Sequence, residues 1–224
     1  MNAVSAFFVN IDAFEIARAS GETLGMVAAS LTLSIVLGLP LGVWLSVSSR
    51  QGLSPNPVLY GLLSFAVNVL RSIPFVILFI LLIPVTLVLV GTSLGVRGAI
   101  PPLVLGAAPF FARLVENALR EVDRSVIEAT QALGASKRQI VLHTLLPEAL
   151  PGLIAAATVT AIALVSYTAM AGVVGAGGLG DLAVRYGYQR FQTDVMLVTV
   201  VLIIALVQGL QTLGDVLVAR ASRK

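Results

Sequence analysis

The sequence has no cysteine and a single histidine, His143. Without thiols, disulfide frameworks, thiolate metal sites and cysteine nucleophiles are excluded, and one imidazole does not make a His-rich metal cluster. Charge is equally scarce. Asp, Glu, Lys and Arg make up 11% of the 224 residues, whereas an ordinary soluble domain has about 25%. Apolar surface takes its place, with 58% hydrophobic residues and a mean hydropathy of +0.99. A soluble monomer of that composition would expose an apolar patch larger than water tolerates, and disordered chains are polar rather than apolar. The composition therefore describes a membrane protein. A net charge of +3 is too small to point to nucleic acid as a partner, and it fits basic loops facing an anionic leaflet.

A spanning helix needs about 20 mostly apolar residues, so stretches free of Asp, Glu, Lys and Arg locate the spans. Glu22 to Arg50 encloses 27 such residues, Glu148 to Asp181 encloses 32, and Asp194 to Asp215 encloses 20. The middle of the chain is more broken, with Arg71, Arg97 and Arg113 punctuating it. Residues 58–90 read as one long tilted helix, disturbed near Pro74 and Pro84 and protruding from the bilayer. The run Gly91-Thr92-Ser93-Leu94-Gly95 reads as a turn, and 99–118 as the next span, with Arg113 and Glu116 near its far end. The expectation is an all-α integral membrane protein, a single domain over 1–224, with five transmembrane helices.

An odd number of spans puts the termini on opposite sides. With the N-terminus outside, the inner side holds Arg50, Arg120, Arg124, Lys137, Arg138, Arg220, Arg223 and Lys224. The outer side then holds Arg18, Arg97, Arg185 and Arg190. The positive-inside rule favours this arrangement, N-out and C-in. Residues 1–10 lack a basic n-region, and Asp12 and Glu15 follow, which does not read as a cleavable signal peptide.

The one long polar insert lies between the third and fourth spans, with an elbow at about 124–147. Ser125-x-x-Glu128 has the pattern of a capping box, in which the serine caps an early helical N–H and the glutamate reaches back to the serine. The helix should run through Leu133, with Gly134 in the left-handed position that follows a helix. Ser136-x-x-Gln139 repeats the capping pattern at once. Val126, Ile127, Leu133 and Ile140 lie among the charges. Such an elbow is either an amphipathic helix on the lipid surface or a docking element inserted into a partner's groove.

Here the residues resemble a known family. Glu128-Ala129-Thr130, three residues, Gly134, and later Leu146-Pro147 are similar to the EAA loop of ABC importer permeases, E-A-A-x3-G-x9-I-x-L-P. Thr130 stands for the second alanine and Thr144 for the isoleucine. Arg71-Ser72-Ile73-Pro74-Phe75, Gly106-Ala107-Ala108-Pro109-Phe110, Val115-Glu116-Asn117-Ala118-Leu119, the 145–153 run Leu-Leu-Pro-Glu-Ala-Leu-Pro-Gly-Leu and Gly175-Ala176-Gly177-Gly178-Leu179-Gly180 all resemble the methionine-uptake branch of that family. The resemblance covers the chain from Glu22 to Lys224. It implies a type I permease fold in a bacterial inner membrane, working as a homodimer with two ATP-binding subunits and an outer-face substrate-binding protein. The implied cargo is L- and D-methionine and close derivatives. The elbow becomes the coupling helix seated in the ATPase, with Ser125, Glu128, Ala129, Thr130, Leu133 and Gly134 as its contact or bracing residues. The implied ATP and Mg belong to that partner; no cofactor is expected in this chain, no catalytic residue and no metal site.

Two further readings come from the residues. Gly175-Ala176-Gly177-Gly178-Leu179-Gly180 satisfies G-x-G-x-x-G, but that fingerprint has meaning only between a strand and a helix of a βαβ unit. In this chain it follows a long apolar window, so the glycines read as turns and close approaches. No G-x-x-x-x-G-K-[ST] phosphate loop occurs, which sends ATP binding to another subunit. Intramembrane polar groups face a cavity or another helix. Ser64, Asn68, Arg71 and Ser72 share one helical face, and Arg113, Glu116, Asn117 and Arg120 another, with Glu116 and Arg120 spaced for an ion pair. Both stripes are either pathway lining or helix–helix glue. Ser166, Tyr167, Thr168 and Met170 interrupt an apolar run before the glycine segment; Met170 is the candidate gate, and Tyr167 and Asn68 are pathway candidates. Alternatives at this point are a permease for another small amino acid and an ATP-independent secondary transporter.

Overall fold

Asp12 has an extended backbone and accepts hydrogen bonds from the Phe14 and Glu15 amides at 2.8 and 3.3 Å, which starts helix α1, Ala13–Ser48. This computed structural model describes residues 12–222. The leader reading of residues 1–10 and the basic pair Arg223 and Lys224 fall outside them. Over 36 residues α1 reaches about 54 Å, longer than a hydrocarbon core of about 30 Å. Its buried face repeats every four residues: Ser30, Ser34, Gly38, Gly42, Ser46. A Cβ on Gly38 would come within 2.7 Å of the Ala108 carbonyl oxygen, and one on Gly42 within 2.6 Å of the Ala112 carbonyl oxygen. Small residues thus let the backbone of α1 lie against the helix carrying Ala108 and Ala112, the packing that replaces hydrophobic driving force inside a bilayer.

Asn56 accepts the Leu59 amide at 3.1 Å and opens α2, Pro57–Ser72. Residues 58–90 are not one long tilted helix. The chain breaks at Ile73-Pro74, and α3, Phe75–Leu81, leaves α2 at 100°. The break itself, though not its angle, has a local cause: proline drives the preceding residue out of the helical region, and Ile73 sits at φ −80°, ψ 123°. A further helix, α4, Ile83–Val90, follows and ends on Gly91 in the left-handed region, φ 78°.

The central helix is α5, Gly95–Arg120. It packs along most of α1 and also meets α2, α8 and the α3–α4 segment. Its buried positions Ala99, Leu103, Ala107, Phe111 and Val115 recur at helical spacing. The elbow follows: α6, Arg124–Ala132, then α7, Lys137–Ile140, running into a π-helical turn at Val141–Leu145. After it come α8, Leu150–Val173; α9, Gly178–Leu182; and α10, Thr193–Ala221. No strand occurs among the described residues. Among the described residues four helices, α1, α5, α8 and α10, are long and apolar enough to cross a membrane, and the bent pair α2–α3 makes a fifth crossing if it is one span.

Among the described residues three apolar clusters hold the bundle. One gathers Met26, Phe79, Leu103 and Leu164 from α1, α3, α5 and α8. Another gathers Phe111, Val115, Leu119 and Leu145 at the elbow end, and a third gathers Ala19, Leu179, Leu182 and Val195. Large apolar side chains elsewhere are exposed, among them Phe65, Val88, Val201 and Ile204, as expected of a surface that meets lipid or a partner rather than water.

Candidate coupling elbow and translocation path

The elbow is built from local hydrogen bonds. Asp123, not Ser125, caps α6: its carboxylate accepts the Ser125 amide at 2.9 Å. That bond and the Ser125 hydroxyl lower the pKa of the exposed Asp123 carboxyl. The expected box between Ser125 and Glu128 is therefore absent. The chain turns helical two residues earlier than the S-x-x-E pattern suggests, at Arg124 rather than Val126, which puts Ser125 inside the first turn. Glu128 is exposed on the wall of a cavity of about 690 Å³, shared with Arg50, Arg120 and Arg124.

The other half of the elbow follows the sequence reading. Helix α6 ends with Leu133 as its C-cap, and Gly134 has φ 78°. The Gly134 amide donates to the Gln131 carbonyl at 2.9 Å and the Ala135 amide to the Thr130 carbonyl at 3.4 Å, the paired bonds of a Schellman ending. Ser136 and Gln139 then form the reciprocal capping box. Lys137 donates to the Ser54 hydroxyl at 3.1 Å and ties the elbow to the loop between α1 and α2. Ile140 is buried and Ile127 packs against the elbow-end cluster, while Leu133 is 88% exposed. Ala129 is exposed too. Thr130 and Thr144, the two departures from the EAA pattern, bring their hydroxyls to 3.3 Å of each other. The pair ties α6 to the π-helical turn, a link that the separate substitutions do not suggest.

The two polar stripes meet each other. Arg113 donates to the Ser64 hydroxyl and the Asn68 side-chain carbonyl, both at 2.8 Å. Glu116, wholly buried, takes Arg113 and Arg120 at 2.6 Å each, and Arg120 also reaches the Tyr60 hydroxyl at 3.0 Å. The network laces α2 to α5, so Asn68 has a bracing contact. The long-range bonds across 45 and 49 residues have no signature in sequence spacing. Arg71 and Ser72 stand apart from it: the Ser72 hydroxyl donates to the Asn68 backbone carbonyl, and Arg71 lies over the Phe110 ring.

Tyr167 stacks on Phe75, with ring centroids 4.6 Å apart and planes 2° from parallel. Both line a cavity of about 250 Å³ beside the α2–α3 break. Met170, one turn further along α8, is 45% exposed. At the other end of the spans, Gly175, Gly177 and Gly178 all have positive φ. The Gly178 amide donates to the Glu22 carboxylate and the Leu179 amide to the Thr23 hydroxyl, each at 2.9 Å. A Cβ on Gly177 would stand 2.6 Å from the Glu22 carboxylate oxygen. The glycine run is thus an irregular turn clamped to α1, and Glu22 was visible in sequence only as the edge of an apolar window.

A bundle of apolar spans, one broken span and a capped polar elbow define a multi-span transport subunit. The chain belongs to the family described as the binding-protein-dependent transport system inner membrane component, which matches residues 38–224. It is thus the non-catalytic permease of an ABC importer. The methionine import system permease protein MetP of Bacillus subtilis is 47% identical over 211 residues, 94% of this chain and 95% of that protein. The D-methionine transport system permease protein MetI of Escherichia coli is 53% identical over 155 residues, 69% of this chain and 71% of that protein. A solved structure of the inward-facing MetNI methionine ABC transporter superposes with a TM-score of 0.92 at 49% identity, covering 93% of this chain and 97% of that one. An amino acid ABC transporter at 16% identity and TM-score 0.74 shares the fold.

Proposed function

We propose that this chain forms the membrane pathway of an ATP-driven importer of methionine, in both L and D forms, and of close derivatives. What supports the cargo is likeness to methionine permeases that extends over nearly the whole chain, including its cavity-lining helices. Two copies pair in the bacterial inner membrane, N-terminus outside and C-terminus in the cytoplasm. Two ATP-binding subunits supply ATP and Mg on the cytoplasmic side, and a substrate-binding protein delivers methionine to the outer face. The family assignment removes the ATP-independent secondary transporter; another small amino acid is the remaining alternative.

The elbow transmits the work. Its two short helices are held at a set angle by the Schellman ending and the capping box, so a load applied at α6 is carried to α7 without bending. Ile140 and Leu145, buried at the base, pass that load into the cluster that joins α5 and α8. The exposed Leu133 and Ala129 form the surface presented to the ATPase, and Thr130 braces it from behind. Closing of the ATP-bound partners would then tilt the spans and move Met170 and Tyr167 between open and shut positions.

Reconstitution of the complex in liposomes with its binding protein tests the reading. ATP-dependent uptake of labelled methionine, above that of other small amino acids in a panel, is the expected result. Uptake of a different amino acid with methionine excluded would move the assignment to the alternative, and uptake without ATP would overturn the importer.

A further inference from the structure

Arg71 lies in the last turn of α2, roughly 20 Å along that helix from Pro57. A cation inside a membrane-spanning segment is costly unless it faces a cavity or an opposite charge. No acid lines the cavity beside it, and Glu116 of α5 is already bound to both Arg113 and Arg120. Arg71 itself makes no ion pair among the described residues. Its guanidinium carbon stands 5.7 Å from the centre of the Phe110 ring, a contact that orders a cation without neutralising it.

Arg71 is the one charged wall of the cavity of about 250 Å³, and Phe75, Phe110 and Tyr167 are its aromatic walls. The bend supplies a third feature. Because α3 departs at 100°, the final carbonyls of α2 lack the amides of a next turn, and this end carries partial negative charge. An unpaired guanidinium, aromatic walls and a carbonyl-bearing helix end match the three parts of an apolar amino acid: carboxylate, side chain and ammonium. The volume is below the 300 Å³ or so at which drug-sized pockets begin, which suits so small a ligand.

We propose that Arg71 receives the α-carboxylate of the amino acid in transit, with the apolar side chain against Phe75, Phe110 and Tyr167 and the ammonium toward the carbonyl end of α2. The site deepens the importer reading and rests on it. The site is a relay within the membrane, distinct from the capture of substrate by the outer-face protein.

The test uses the complete complex in liposomes with its binding protein, reading methionine uptake and ATP hydrolysis together. Arg71→Gln should lower uptake about tenfold or more, as expected for loss of a charge-assisted bond, while hydrolysis stimulated by the loaded binding protein stays near that of the unaltered complex. Arg71→Lys should retain part of the uptake, because it keeps the charge and loses the bidentate fork. Arg97→Gln, exposed near the start of α5, controls for loss of a positive charge and should import normally. Unchanged uptake in Arg71→Gln, or equal loss of uptake and hydrolysis, would overturn the site. Should Arg71→Gln not assemble, Arg71→Lys decides in the same way: less uptake per ATP supports the site, and unchanged uptake per ATP removes it. An unaltered complex that imports no amino acid would overturn the importer reading and the site with it. Normal import by both the unaltered and Arg71→Gln complexes would overturn the site alone.

Discussion

Glu116 is the residue on which the bracing network turns, because one buried carboxylate pairs with two arginines. Its pairing with Arg120 is legible from i,i+4 spacing. The bonds from Arg113 to Ser64 and Asn68 are not, since only the folded packing of α2 on α5 brings them together. Removing the acid leaves two guanidinium groups uncompensated, so Glu116→Ala should cost about 3–5 kcal/mol, the usual penalty for breaking a buried pair. A thermal unfolding scan of the detergent-purified protein checks it, and an unchanged midpoint would remove the network from the stability of the fold. Asp123 offers a milder, pH-dependent case. The Ser125 amide, followed by the Ser125 hydroxyl, holds its carboxyl below the ordinary aspartate value. A lowered folded pKa means that the cap contributes fully above the unfolded value and is lost as pH falls through the folded one. Amides of 124–132 should therefore show constant protection near neutral pH and lose it only in strong acid, as hydrogen exchange across a pH series would report. The Asp123 cap escaped sequence reading because two short polar residues, Asp123 and Ser125, compete for the same role and the S-x-x-E pattern favours the second.

At the scale of the element, the elbow and the broken helix show what pattern reading captures and what it does not. Gly134 and the Ser136–Gln139 box depend on residues within a few positions, so their geometry was readable directly. The break at Ile73-Pro74 was readable as a disturbance, but its 100° angle comes from how α3 packs on α5 and α8, which no local rule contains. The close approach of α1 to α5 through Gly38 and Gly42 went unread for the same reason: a G-x-x-x-G spacing has meaning only once the facing helix is known. Gly134 is the element's most testable position. A Cβ there would meet nothing within 4 Å, so the penalty is conformational alone, about 1 kcal/mol or more for a β-branched residue in the left-handed region. Gly134→Val should insert and accumulate normally yet bind its ATPase weakly or hydrolyse ATP without import. Ala155→Val, on an exposed position of α8, is the control. Membrane abundance, ATPase co-purification and uptake measured separately would decide it; normal values of all three in Gly134→Val would take the elbow out of the coupling mechanism.

At the scale of the whole molecule, the proposed pathway has only one wall in a single copy. Tyr167 lines a cavity beside the α2–α3 break, Met170 is exposed, and so are Phe65, Val69, Ile77 and Ile80 of α2 and α3. Lipid alone does not explain Arg71 and Asn68, both exposed on α2, because polar and charged groups in a bilayer require a cavity or a partner. In the proposed assembly a second copy across a two-fold axis would supply the missing wall with the same residues, the most common solution for a symmetric assembly. That pairing requires both copies to share one orientation, which ties it to topology. With the N-terminus outside, the elbow and the C-terminus lie together on the ATPase side and the clamped glycine turn lies opposite. Reporters fused after Arg138 and at Lys224 should both read cytoplasm, and one at Tyr186 should read the outer side. The mass of the detergent-purified complex should then correspond to two permeases and two ATPases. A cytoplasmic Tyr186 would invert the bundle and place the elbow away from ATP. A transport-competent assembly with a single permease would show that five helices enclose the path unaided.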